Sequence, residues 1–215
     1  MTISNSLQLT LNSVFTFILQ FFIFALIPFI WWKVTKPNER FFTWLGFKKA
    51  KFNNKIFPLV IIIIIWFICY NFDPEMFIDM TVVEESDALV SNIFTGLGVY
   101  AIIPAFIQAL FVQGVTEELL FRGFLAKRLI NKFDFNMGNL IQGCLFGSMH
   151  VALFLVAGIN IGALGFILMF LTTAIPALLL TYLNEKLFDG SIIPSILVHG
   201  LGNFMSYMIV AFNLL

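Results

Sequence analysis

The chain has 215 residues, of which 60% are hydrophobic, 17% aromatic and 11% charged, with a formal net charge of zero. A soluble domain carries about a quarter charged residues, and a mean hydropathy of +0.97 with 28 phenylalanines does not fit one water-soluble core. The composition points to an integral membrane protein and excludes a large soluble domain, and the balanced charge gives no basis for nucleic-acid binding.

Six apolar spans follow in chain order. The first covers about residues 11–32 and ends in Trp31, Trp32 and Lys33, an interfacial anchor. The second, about 56–72, contains IIIIIWFICY and is close to the lower length limit for a crossing. The third starts near residue 88 and runs as one long helix to about 131, with Pro104 as a candidate kink. The fourth covers about 137–156, and the fifth about 161–187, with Pro176 inside. The sixth covers about 192–214, with Pro194 in its first turn, where proline is tolerated. The pattern predicts an all-α polytopic membrane protein forming one domain over 1–215. No basic n-region precedes the first span, so no cleaved signal is expected. Cys69 and Cys144 lie in apolar runs and are expected as buried free thiols.

The loop charges predict the orientation. Lys33, Lys36, Arg40, Lys48, Lys49, Lys51 and Lys55 follow span one. Lys127, Arg128 and Lys132 end span three, and Lys186 lies between spans five and six. Six spans put all three places on one side, which the positive-inside rule assigns to the cytoplasm. The loop with Asp73, Glu75, Asp79, Glu84, Glu85 and Asp87 has no base and falls outside, as do both termini. The expected location is the cell membrane, with a multi-pass topology.

Few ionisable groups then remain within spans: Glu117, Glu118, Arg122, His150 and His199, the last two being the only histidines. A charge at the bilayer centre costs about 3 kcal/mol on insertion scales, so such groups face the bundle interior and pair. Glu118 and Arg122 are spaced i and i+4 and share a helix face. Glu117 is turned about 100° away, without a cation on its own helix. His150 ends FGSMH with Phe146 four residues earlier, and HGLGN places His199 and Asn203 at i and i+4. The three motifs lie at similar depth and predict a polar cavity between helices three, four and six. Glu117 and His150 suit holding and deprotonating a water. His199 and Asn203 suit donation to the oxyanion of a tetrahedral intermediate. Glu118 and Arg122 would brace the helix.

EELLFRG, then F-x-x-x-H, then H-x-x-x-N, on successive membrane helices, resembles the CPBP family. That family comprises the CAAX prenyl endopeptidases of the second type and the bacteriocin-processing or immunity proteins, also called Abi. The resemblance covers roughly residues 90–210, with no departure within the motifs. It implies an α-helical intramembrane endopeptidase of the glutamic type. Glu117 would be the catalytic base and His150 its partner on water. His199 and Asn203 would form the oxyanion site, with Glu118, Arg122 and Phe146 in support. The substrate would be a peptide or lipidated peptide: a prenylated, pheromone or bacteriocin-type precursor met at the cytoplasmic side or within the bilayer.

No cofactor is expected. There is no H-E-x-x-H, and catalytic zinc usually takes three protein ligands plus water. Glu117, His150 and His199 could supply them, so a zinc-dependent version of the same protease is one alternative. Ser148 lies on a different helical face from His150, and Cys144 has Ser148, not a base, at i+4. A non-enzymatic immunity protein that binds a toxin or its receptor is a second alternative. A proton-coupled transporter also uses buried Glu and His, but no inverted repeat is visible.

Overall fold

The computed structural model describes residues 3–52, 55–70 and 90–214. The described residues form an all-helical bundle, and five of its helices are long and apolar enough to cross a membrane. These are α1 (Ile3–Thr35), α4 (Gly98–Lys132), α5 (Phe135–Val156), α6 (Gly162–Leu187) and α7 (Ile193–Ala211). Between α1 and α4 lie a short helix, α2 (Phe41–Leu45), and the helix α3 (Ile56–Tyr70) within the second predicted span. Of that span, the described residues 56–70 are helical throughout. The acidic loop, Asp73 to Asp87, lies outside the described residues.

The third predicted span starts later than its hydropathy suggests. A 3-10 turn, Val90–Phe94, precedes α4. Gly96 and Gly98 then take φ of 67° and 54°, a left-handed backbone open to glycine, and separate the turn from the helix. From Gly98 the chain is continuously helical, but the winding changes along it. Ile107–Val115 and Leu119–Ala126 are π-helical, and between them sits a three-residue α segment, Thr116–Glu118. Pro104 lies just before the first π stretch. Wide turns of this kind are rare and are frequently found at functional sites.

Close helix approach explains the packing. A side chain at Gly200 would meet the Leu110 side chain at 2.6 Å and its Cα at 2.9 Å. A side chain at Gly114 would meet the Ile196 carbonyl at 3.1 Å, so α4 and α7 touch through their backbones. Gly143 and Gly147 on α5 do the same against Leu178, Phe170 and Ala174 of α6. Small residues at such contacts favour membrane helix association.

The three basic segments pack together at one end of the bundle. Lys127 pairs with Glu185 at 2.5 Å, and Arg128 stacks over Trp44 at 3.8 Å. The Gly46 carbonyl accepts from Ile192 N, and Lys55 Nζ donates to the Leu187 carbonyl. Every Lys and Arg except Arg122 lies in these three segments. At the opposite end, Ser6 Oγ donates to the Tyr100 carbonyl and Gly96 N to the Val210 carbonyl, so the two chain ends lie beside the start of α4.

One expectation is corrected. Cys144 is exposed on the bundle surface, not buried. Gly143 and Gly147 turn one face of α5 onto α6, and Cys144 falls off that face.

Candidate functional site

The site is built where α4, α5 and α7 meet. Thr116–Glu118 is the segment of α4 between its two π stretches, and it delivers both glutamates towards α7. Glu118 is fully buried and Arg122 nearly so; Arg122 Nη1 lies 3.0 Å from Glu118 Oε1. The predicted i,i+4 pair is therefore present. Desolvating two charges is costly, so such a pair persists only when further groups face it. One of these is His199, whose Nδ1 lies 2.8 Å from the same Glu118 oxygen.

His199 is wedged between the adjacent carboxylates. Its Nδ1 faces Glu118, and its Nε2 lies 3.9 Å from Glu117 Oε2. The two ring nitrogens point to different sides of the imidazole, so one ring reaches two carboxylates that leave the helix about 100° apart. The sequence reading grouped Glu117 with His150 and His199 with Asn203. The structure instead places His199 directly against both glutamates.

His150 enters from α5 and is half-buried. Its Nδ1 is 2.8 Å from the Phe146 carbonyl one turn earlier. An N–H donated there leaves Nε2 as an acceptor. Among the described residues, His150 forms no hydrogen bond or ion pair with Glu117. The two histidines are linked through Phe146, whose ring centroid is 4.5 Å from that of His150 and 6.3 Å from that of His199. The same ring lies 4.4 Å below the Arg122 guanidinium and meets Phe121 edge-on at 4.8 Å. Phe146 is thus the apolar hub that brings α4, α5 and α7 together, with a cation–π contact to the buried arginine.

Asn203 is buried one turn beyond His199. Its Nδ2 donates to Gln113 Oε1 at 2.8 Å, and Tyr207 Oη donates to the same oxygen at 2.5 Å. Gln113 is one turn before Glu117 on α4. On the other side, Gln20 of α1 donates to Thr116 Oγ1 at 2.7 Å and to the Val112 carbonyl. The sequence reading missed Gln20, Gln113 and Tyr207. A glutamine inside an apolar span was the only available signal. Among the described residues, Glu117 Oε2, Glu118 Oε2 and Asn203 Oδ1 are buried with no hydrogen-bond partner. Among the described residues, no group of three or more His, Cys, Asp or Glu converges as metal ligands.

No curated protein and no solved structure matches the chain significantly. A family model does match: Type II CAAX prenyl endopeptidase Rce1-like, over residues 99–205. That range is about half the chain and contains all seven residues named from the motifs. Membership implies a CAAX-type intramembrane protease, with a peptide substrate and the bilayer as its surroundings. Through this region, which builds α4 to α7, the chain belongs to the Rce1-like family of type II CAAX prenyl endopeptidases.

Proposed function

We propose that the protein is a glutamic-type intramembrane endopeptidase that hydrolyses a peptide bond in a prenylated or otherwise lipidated precursor. The observation that carries this is the Glu117 carboxylate. It is 12% exposed, its Oε2 has no hydrogen-bond partner among the described residues, and that oxygen faces an imidazole nitrogen at 3.9 Å. Such a carboxylate is placed to accept a proton from a water, with His150 Nε2 as the second acceptor holding that water.

The chemistry balances without a metal. A water O–H gives its proton to Glu117 as the oxygen attacks the scissile carbonyl carbon. The resulting oxyanion is held by Asn203 through the amide N–H not given to Gln113, and by His199 through Nε2. With Nδ1–H held by Glu118, His199 donates from Nε2 only when the ring carries both protons, and the carboxylates on either side face that charge. Glu117 then returns its proton to the leaving amine as the C–N bond breaks. Arg122 and Phe146 fix the positions of Glu118 and the two histidines.

In this reading the substrate reaches the site from the basic end. That the chain leaves α1 at that end and enters α4 at the other supports a further pass between them, for six in all, with α3 in the second. The positive-inside rule assigns the basic end to the cytoplasm. Labelling of single cysteines at residues 49 and 5 in sealed membranes checks this. Residue 49 should react only after permeabilisation and residue 5 before it; the reverse pattern overturns the assignment.

The decisive experiment is cleavage of farnesylated and leader-type peptides by purified protein beside Glu117→Ala. Cleavage lost in a folded Glu117→Ala supports the proposal. Full activity in that variant sinks it.

A further inference from the structure

Resting on the proposed role of Asn203, we infer that Gln113 is a positioning residue: with Tyr207, it locks the Asn203 amide in the orientation the reaction uses. A free asparagine amide can turn over and exchange its oxygen for its nitrogen at little cost. Here it is constrained. Nδ2 donates to Gln113 Oε1 at 2.8 Å, which aims the nitrogen at α4 and leaves the buried Oδ1 on the other side. The Gln113 oxygen has two lone pairs, and Tyr207 Oη takes the second at 2.5 Å.

Tyr207 is itself held by packing. It is fully buried, packs in one cluster with Phe94, Leu97, Ala101 and Ala105, and its ring lies 5.0 Å from that of Phe94. The chain Tyr207–Gln113–Asn203 therefore runs from a buried apolar core to the edge of the glutamate–histidine cluster. The backbone contact of Gly114 with Gly200 brings the two helices close enough for these short side chains to meet. Gln113 is also one turn from Glu117 on α4, so the helix carries both the base and the residue that positions the oxyanion donor. An amide held this way offers its remaining N–H without reorganisation, the condition for an effective oxyanion donor.

The test measures kcat and KM on a farnesylated peptide for wild type, Glu117→Ala, Gln113→Leu, Tyr207→Phe, Asn203→Ala and the Gln113→Leu/Asn203→Ala double variant. Gln113→Leu should lower kcat about 10- to 100-fold, as a misplaced group does, with KM nearly unchanged. Tyr207→Phe should give a smaller loss in the same direction. In the Asn203→Ala background, Gln113→Leu should cost nothing more, because its effect passes through Asn203. Losses that add in the double variant, or a wild-type kcat in Gln113→Leu, overturn the inference. Activity surviving in Glu117→Ala would instead overturn the underlying protease mechanism. A substrate-free measurement stands beside these. In protein labelled with 15N-asparagine in nanodiscs, the Asn203 side-chain NH2 signals, assigned with Asn203→Ala, should shift in both Gln113→Leu and Tyr207→Phe. Unmoved signals overturn the inference whatever the kinetics show.

Discussion

Two helix pairs bury polar side chains in apolar surroundings, and they do so in different ways. Between α5 and α6 the polar groups are neutral amides that bond largely to backbone. Asn139 Nδ2 donates to the Leu178 carbonyl, and Gln142 Nε2 to the Ala177 carbonyl and to Asn139 Oδ1. Between α4 and α7, beside the neutral Gln113, Asn203 and Tyr207, they are two carboxylates, an imidazole and a guanidinium, associated with one another through side chains. The first arrangement is adhesive: a neutral amide costs little to bury once it finds a carbonyl. The second concentrates charge where charge is expensive and leaves carboxylate oxygens without donors. In this bundle, polar residues inside a span become informative about chemistry when they are ionisable and converge.

The contrast can be broken or sharpened by substitution, starting with the largest effect. Glu117→Gln keeps the shape and removes the base. It should lower kcat by about a thousandfold or more while the thermal midpoint stays near that of wild type, read by cleavage kinetics and tryptophan fluorescence. Arg122→Met should act on stability instead. Glu118 would be left buried without its cation, at a cost of about 3–5 kcal/mol, measured as a lower unfolding midpoint in detergent. At the other pair, Gly147→Val should cost about 1–3 kcal/mol, because its Cβ would sit 2.9 Å from the Phe170 carbonyl oxygen. Catalysis by the folded fraction should persist. Gln142→Leu should cost only about 0.6 kcal/mol, the average for such membrane hydrogen bonds, with kcat unchanged. Smallest of all, a strong chelator should leave cleavage unaltered. Chelator-sensitive activity restored by zinc would move Glu117 and the histidines from acid–base work to metal ligation.

Much of this contrast was legible in the sequence. Span positions follow from hydropathy, and the joint placement of the basic segments follows from counting loops. Glu118 with Arg122, and Phe146 with His150, follow from i,i+4 spacing alone. Contacts between helices were harder. The sequence places Glu117, His150 and His199 at one depth, but not which nitrogen faces which oxygen, so the wedging of His199 between two glutamates was unreadable. Gln113 looked like one neutral amide among several; its partner Asn203 is 90 residues away. Cys144 was misplaced because lipid and protein interior are both apolar, so hydropathy does not separate the face on α6 from the face on acyl chains. The π winding of α4 has no residue signature in IQALFVQGV that would distinguish it from an α-helix.

That winding makes α4 sensitive to a change in length. The π stretches on either side of Thr116–Glu118 set the rotation between the Gly114–Gly200 contact, the two glutamates and Arg122. Deleting one residue between Ile107 and Val115 would rotate and shift everything before the glutamates relative to them, unless a wide turn tightened to α-helical winding to take up the loss. Without that tightening the helix could keep its seat against α7 or keep Glu117 facing His199, but not both. Many positions on this helix should therefore accept another apolar residue, while a deletion within Ile107–Val115 should be accepted only where the winding tightens to absorb it. Its reading frame in space is as constrained as the identity of its charged residues.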